Sequence, residues 1–422
     1  MADHEWLRRV RRDLHRHPEP GWCEFYTTGY IADELDALGV EYELGRDFLA
    51  ADARLSVPDE ETIGEWRERA RDAGTREDVL DACDGGFTGL LATVERGEGP
   101  VITLRVDIDG LPREESSADD HTPAREGFRS ETPAMHACGH DAHAAIGLGV
   151  LADVLEGDFS GTFRVLFQPA EELASGAKPV AESGVLDDTD YLFATHVGLD
   201  HPTGEVTAGI EGFLAVRQFR ADFAGESAHA GAKPEEGRNA VQAMATAVQN
   251  LYSVPRHGDG ATRVNAGRVG GGTASNIVPD EAFIEGEVRG ETTELMEYTY
   301  DRATTVLDAA AAMHDCTVDT DMRAEAPNAE SDDELRALVA AAADVTPDVE
   351  RVVDRDDLGG SEDATYLMER VQSQGGLATY VGVGTDHPGG HHSATFDVDE
   401  ATLDIAVDVL VGAIGEAFKQ RP

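Results

Sequence analysis

The chain has 422 residues, 41% of them hydrophobic and 28% charged, which is enough apolar material to fold and too much for a disordered protein. Acidic residues number 83 against 34 basic ones, a formal charge of -49 spread along the whole sequence. Without clustered Lys and Arg, this excludes a nucleic-acid binder and a protein drawn to anionic membranes.

Apolar residues fall at helical spacing among arginines over 6–14, and a second helix is predicted over 27–38, stopping at Gly39. A polar stretch near 59–82 also reads as helical. Apolar runs at 89–94, 101–108, 162–167 and 191–195 have the length of buried strands, and an apolar helix pattern over 142–155 separates the second from the third. This alternation predicts a three-layer α/β domain with a mostly parallel sheet covered on both faces. From about Gly212 the grammar changes to a strand at 216–223, a helix at 239–252, strands at 263–269 and 281–288, a helix at 294–313 and a strand at 317–322. The order β-α-β-β-α-β is that of a ferredoxin-like α+β module. It reads as an insert at 211–324 within a domain formed by 1–210 and 325–422, which a helix near 362–370, a strand at 377–383 and a helix from Glu400 complete. A chain of this length suits two domains better than one core.

Four scattered cysteines, Cys23, Cys83, Cys138 and Cys316, do not form a disulfide framework and favour a reducing compartment. No apolar run near the N-terminus has the length of a signal peptide, and none elsewhere approaches that of a membrane span, so the expected location is the cytoplasm. The self-repulsion of so acidic a chain is relieved in molar salt, where the Debye length is about 3 Å, and this points to a salt-loving host.

The run Met135-His136-Ala137-Cys138-Gly139-His140-Asp141-Ala142-His143 places a thiol, three imidazoles and a carboxylate just before a helix. Cys138 and His140 flank a glycine that lets the backbone turn, and Asp141 has the chemistry to take the other ring proton of a ligand histidine. The strand at 162–167 runs into Gln168-Pro169-Ala170-Glu171-Glu172, the strand at 191–195 runs into His196, and the strand at 101–108 brings Asp107 and Asp109. In an open α/β sheet, sites form at the carboxyl ends of strands, where all these groups fall. Neighbouring side chains on extended backbone point to opposite sides, so Glu171 and Glu172 suit a division of labour. One would hold a metal while the other takes a proton from water activated there. Glycine-rich loops add His229, in Ser227-Ala228-His229-Ala230-Gly231, and the group His387, His391 and His392, among which composition does not choose a ligand.

Together these motifs resemble the metallopeptidase family that includes aminoacylases, carboxypeptidase G and plant indoleacetyl-amino-acid hydrolases, over nearly the whole chain. The runs Gly85-Gly86-Phe87-Thr88-Gly89, Ala228-His229-Ala230-Gly231-Ala232-Lys233-Pro234-Glu235 and Gly360-Ser361-Glu362-Asp363-Ala364-Thr365 resemble the aminobenzoyl-glutamate hydrolase subgroup, whereas His15-Arg16-His17-Pro18-Glu19-Pro20 is similar to the broader amidohydrolase subfamily. The resemblance implies two divalent ions, manganese or zinc, on Cys138, His140, Glu172, His196 and His392, the last aligned through Ser393-Ala394-Thr395-Phe396-Asp397, with Glu171 as general base. It also implies that the inserted module mediates dimerisation and supplies His229, Asn276 and Arg289 to the substrate. Arginine offers a planar fork to a carboxylate, and a His or Asn donor suits an oxyanion. The implied reaction is hydrolysis of the amide of an N-acyl amino acid, p-aminobenzoyl-glutamate foremost. The alternatives are a general N-acyl-amino-acid hydrolase, a small carboxypeptidase, or a catalytically silent subunit that binds ligand. The implied partners are a small carboxylate substrate and a second subunit, in a homodimer or in a heterodimer with a related chain.

Overall fold

Strand Val101–Asp107 is buried along almost its whole length and Tyr191–Val197 along all of it, as expected of strands covered on both faces. They lie at the centre of an eight-stranded sheet in the computed structural model, which describes residues 4–387 and 389–420. Across the sheet the order is Glu41–Leu44, Leu90–Arg96, Gly161–Gln168, Val101–Asp107, Tyr191–Val197, Leu377–Val383, Glu205–Thr207 and Arg351–Val353. The strands from Gly161–Gln168 to Leu377–Val383 run parallel. Toward both edges antiparallel pairings enter, so the sheet is mixed around a parallel centre.

Helix His140–Glu156, buried without a break from His140 to Leu151, packs on the central strands, Ala401–Ala417 packs beside it and on Leu377–Val383, and His4–Arg16 packs against both helices. Thr365–Ser373 packs on Leu377–Val383 and Tyr191–Val197 and against Ala177–Ser183. This unit comprises residues up to Gly212, Ala329–Leu358 and the chain from Glu362 onward.

The second unit, Phe213–Asn328 with Gly359–Ser361, has its own core. Four antiparallel strands in the order Thr262–Gly271, Glu281–Gly290, Ala215–Ala224, Thr317–Ala326 carry helices Ala240–Leu251 and Thr293–Met313. That is the ferredoxin-like order.

Several local readings change. The polar stretch splits into Glu60–Ala73 and Glu77–Ala82 because Gly74 turns the chain at φ 107°. The helix expected from Glu362 begins at Thr365, with Glu362 and Asp363 in the turn before it. Helix Asp333–Ala343 and three short strands of the large sheet were not legible as elements. The four cysteines are buried and unpaired, and no helix among the described residues is long and apolar enough to cross a membrane.

Candidate metal centre

Gly139 stands at φ 84°, and a Cβ there would lie 2.6 Å from the Val197 side chain, so glycine is required to bring Cys138 beside the first residue of helix His140–Glu156. Cys138, His140 and His196 present donor atoms within 4.8 Å of one another, as do Cys138, Glu172 and His392, and also His140, Glu171 and Glu172. Five residues expected as ligands and the expected base are thus gathered in the first unit, at the carboxyl ends of the central strands.

Hydrogen bonds fix which imidazole nitrogens face the cluster. His140 Nδ1 donates to the Asp109 carbonyl at 3.0 Å, leaving Nε2 buried with no hydrogen-bond partner among the described residues, 3.6 Å from Asp107 Oδ1 and 3.9 Å from Glu171 Oε2. His196 Nδ1 donates to the Val197 carbonyl at 2.7 Å, and its Nε2 stands 3.5 Å from Cys138 Sγ. His143 is engaged at both nitrogens, with Asp107 at Nδ1 and with the Val197 amide, 2.9 Å away, at Nε2, so it supports the site without a free donor atom. Asp141, read from sequence as the partner of a ligand histidine, instead binds Arg11 and His15, each at 2.8 Å. Asp109 takes that position because its carbonyl lies opposite His140.

The histidine left open among three is separated by geometry. His392 Nε2 lies 3.4 Å from Glu172 Oε2, whereas His391 Nε2 faces the Val197 carbonyl at 3.3 Å. Glu171 and Glu172 follow their strand in a turn, not in extended backbone, which is why both carboxylates reach the same cluster. Asp109 accepts both of their amides, Glu171 at 3.1 Å and Glu172 at 3.0 Å.

The electrostatics are those of a site built for cations. Burial, with Glu362, Glu172 and Asp363 nearby, raises Glu171 well above the usual carboxylate range. Burial likewise pushes Glu172 up to about 8 and the Cys138 thiol up to about 12. Burial works against charge on His140, yet Asp107 and Asp109 hold its pKa well above the usual value. An orphaned imidazole nitrogen among a thiol and two carboxylates fits a divalent transition metal, and its mixed N, S and O donors suit zinc or manganese.

In the second unit, the two-residue strands Ala228–His229 and Ile277–Val278 pair, and Ala230 donates to the Asn276 carbonyl at 2.9 Å. This ribbon brings His229 near Asn276. His229 is exposed, and its Nδ1 accepts the amides of Gly231 and Ala232, each at 3.1 Å, which places the ring proton on Nε2. Arg289, on strand Glu281–Gly290, forms a fork with Glu287 at 2.9 and 3.2 Å and reaches Ser361 Oγ at 3.4 Å. Lys233 pairs with Glu236 at 2.6 Å.

Comparison with known sequences decides the family: residues 103–416 match the model of peptidase family M20/M25/M40. The chain belongs to this family. This M20-family chain is 45% identical over 407 residues to indole-3-acetyl-aspartic acid hydrolase of Enterobacter agglomerans, covering 95% of this chain and 93% of the relative. It is 42% identical over 413 residues to one of the subunits of p-aminobenzoyl-glutamate hydrolase from Escherichia coli K12, covering 96% and 94%. A crystal structure described as a dinuclear metal-binding peptidase of the M20 family, from Bacillus subtilis, superposes with a TM-score of 0.69 at 26% identity, covering 99% of this chain and 98% of that one. The M20-family chain is a metal-dependent hydrolase.

Sequence reasoning named Asp107 and Asp109 only as nearby carboxylates and gave no role to Glu362, whose carboxylate lies within 4.8 Å of those of Asp107 and Glu171. The signal available for Glu362 was its run with Asp363 before an apolar helix, in a chain where acidic pairs are common.

Proposed function

We propose that this enzyme hydrolyses the amide bond of an N-acyl amino acid whose amino-acid half is acidic, with p-aminobenzoyl-glutamate as the leading substrate. The observation that carries the reading is the convergence of Glu171 and Glu172 on His140 beside Cys138, His196 and His392. The substrate class is supported by the two relatives, whose names pair an acyl group with aspartate in one case and glutamate in the other.

In this reading Cys138, His140, Glu172, His196 and His392 hold two divalent ions. When bound, these ions supply Lewis-acid polarisation of the scissile carbonyl and bring the pKa of the attacking water to roughly 7. Glu171 accepts the proton of that water and returns it to the departing amine, so that amide and water become a carboxylic acid and an amine. Asp109 holds the His140 tautomer and both glutamate amides. His229, through its Nε2 proton, and Asn276 donate to the developing oxyanion, and Arg289 exchanges part of its fork with Glu287 for a substrate carboxylate. The inserted unit makes the dimer contact, with a second copy or with a related chain.

Release of glutamate from p-aminobenzoyl-glutamate, of aspartate from indoleacetyl-aspartate and of alanine from an N-acyl-alanine, measured with the metal-stripped enzyme before and after manganese or zinc, tests this directly. Metal-restored cleavage that prefers the two acidic substrates is expected. Equal rates on all three would establish the general N-acyl-amino-acid hydrolase, and no cleavage of any would sink the assignment.

A further inference from the structure

The loop over residues 168–177, which carries Glu171 and Glu172, is strained and is held in large part from outside itself. Ala170 and Ala174 lie at φ 55° and 46°, left-handed backbone that a residue with a Cβ disfavours. The loop's own bonds are few: Ala174 donates to the Glu171 carbonyl at 2.6 Å, and Ser175 and Gly176 donate to the Ala170 carbonyl at 3.3 and 3.2 Å. The amides of Ala170, Glu171, Glu172, Gly176 and Ala177 point at three carboxylates that are fully buried. Glu24 accepts Ala170 N–H at 2.7 Å, and its other oxygen meets Thr88 Oγ1 at 2.5 Å. Asp109 accepts the amides of Glu171 and Glu172. Asp363 accepts Gly176 at 3.0 Å and Ala177 at 2.9 Å on one oxygen, and Gln168 Nε2 at 2.8 Å and Arg105 at 3.3 Å on the other. Arg105 closes the ring by donating to Gln168 Oε1 at 2.8 Å.

These carboxylates come from distant parts of the chain. Glu24 precedes helix Phe25–Leu38, Asp109 follows strand Val101–Asp107, and Asp363 precedes helix Thr365–Ser373. Among the described residues, neither Glu24 nor Asp363 belongs to a group of donors placed to hold a metal. A buried carboxylate is retained where its hydrogen bonds are satisfied, and one oxygen each of Glu24 and Asp363 is satisfied by the backbone of this one loop while the other takes the side chains of Thr88, Gln168 and Arg105.

We propose that Glu24 and Asp363 are positioning residues of this hydrolase: with Asp109 they clamp the strained loop, fixing the carboxylates of Glu171 and Glu172 for metal capture and proton transfer. This rests on the reading of Glu171 as base and Glu172 as ligand. Sub-ångström placement of such groups controls both metal affinity and rate, so the clamp acts on the reaction without touching the substrate.

The two residues make opposite demands on an amide replacement. Asp363 accepts on both oxygens, so Asp363→Asn turns an NH2 toward donors. Glu24 needs one acceptor toward Ala170, which Glu24→Gln retains while its NH2 serves Thr88 Oγ1. The experiment uses the full-length enzyme, with folding followed by circular dichroism, affinity for manganese alone by calorimetry on metal-stripped protein, and kcat and KM at saturating manganese. Asp363→Asn and Glu24→Ala are expected to stay folded, to bind manganese at least tenfold more weakly, and to lose at least tenfold in kcat with KM within twofold of the parent. Glu24→Gln is expected within threefold of the parent in both. Adding Ala170→Gly to Asp363→Asn is expected to recover at least threefold in manganese affinity, because glycine takes the left-handed conformation freely. Parental affinity and kcat in Asp363→Asn and Glu24→Ala, or losses that match only the unfolded fraction, would overturn the clamp. If Asp363→Asn does not fold, the contrast between Glu24→Ala and Glu24→Gln decides, and equal behaviour of those two overturns it. A parent enzyme that binds no manganese and cleaves nothing defeats the underlying reading instead, so the two failures are told apart.

Discussion

Glu171 and Glu172 are neighbours of identical chemistry whose tasks are separated by their surroundings. Both reach His140, but Glu172 also groups with Cys138 and His392, whereas Glu171 groups with Asp107 and Glu362. Glu171→Gln removes the proton acceptor and keeps the shape. It is expected to lower kcat by about 10²–10⁴, the span of general-base catalysis, while bound metal measured by mass spectrometry stays at the parental stoichiometry. A variant within tenfold of the parent would take the base role from Glu171. The raised pKa of Glu172, about 8, and of Cys138, about 12, describe groups that carry protons in the metal-free protein at neutral pH and must shed them to bind a cation. Protons and metal therefore compete, and the sign follows: apparent affinity rises as pH increases from 6 to 8. Calorimetry in buffers of different ionisation enthalpy should register proton release on binding. Affinity flat across that range, with no release, would mean that these groups are not ligands.

At the scale of elements, Gly139→Ala tests the turn that sets Cys138 beside His140. A left-handed alanine costs roughly 1–2 kcal/mol, and overpacking against Val197 adds about 1–3 kcal/mol. A lower midpoint in thermal unfolding and weaker metal binding are both expected, and a variant with the parental midpoint would show that the turn relaxes at no cost. Elements of this kind were legible where hydrophobic periodicity was strong. Val101–Asp107 and Tyr191–Val197 are mostly apolar because both faces are covered, with Thr103, Arg105 and Thr195 as buried exceptions, and each delivers a site residue toward its end, Asp107 in one and His196 in the other. Asp333–Ala343 was missed because it is short and alanine-rich, with two acidic residues in its first turn, so its buried face carries little apolar contrast. The turn at Glu171 was missed for another reason. The positive φ of Ala170 is imposed by carboxylates from residues 24, 109 and 363, and no local propensity encodes such an imposition. His392, at φ 60°, is separated from His391 by where its ring lies, beside Glu172, and not by composition.

Over the whole molecule, charge governs. Acidic residues exceed basic ones by the full formal charge of -49, and Lys178, Lys233 and Lys419 are the only lysines, so carboxylates far outnumber the cations that could neutralise them. Exposed ion pairs such as Arg76 with Asp33 and Asp36 contribute about 0–1 kcal/mol each and are themselves weakened by salt. The excess negative charge repels over a Debye length of about 10 Å at 0.1 M salt and about 3 Å at 1 M, so screening removes more repulsion than attraction. The unfolding midpoint is therefore expected to rise steadily from 0.1 to 2 M potassium chloride. A dianionic substrate meets the same field, and long-range repulsion opposes its approach until salt or the metal centre offsets it. KM for p-aminobenzoyl-glutamate should accordingly fall over the same range, while KM for an amide with an uncharged amino-acid half changes by less than twofold. A midpoint that falls with salt would mean that the ion pairs outweigh the repulsion, and equal changes in both KM values would place the salt effect in the protein's stability and not in the approach of the substrate.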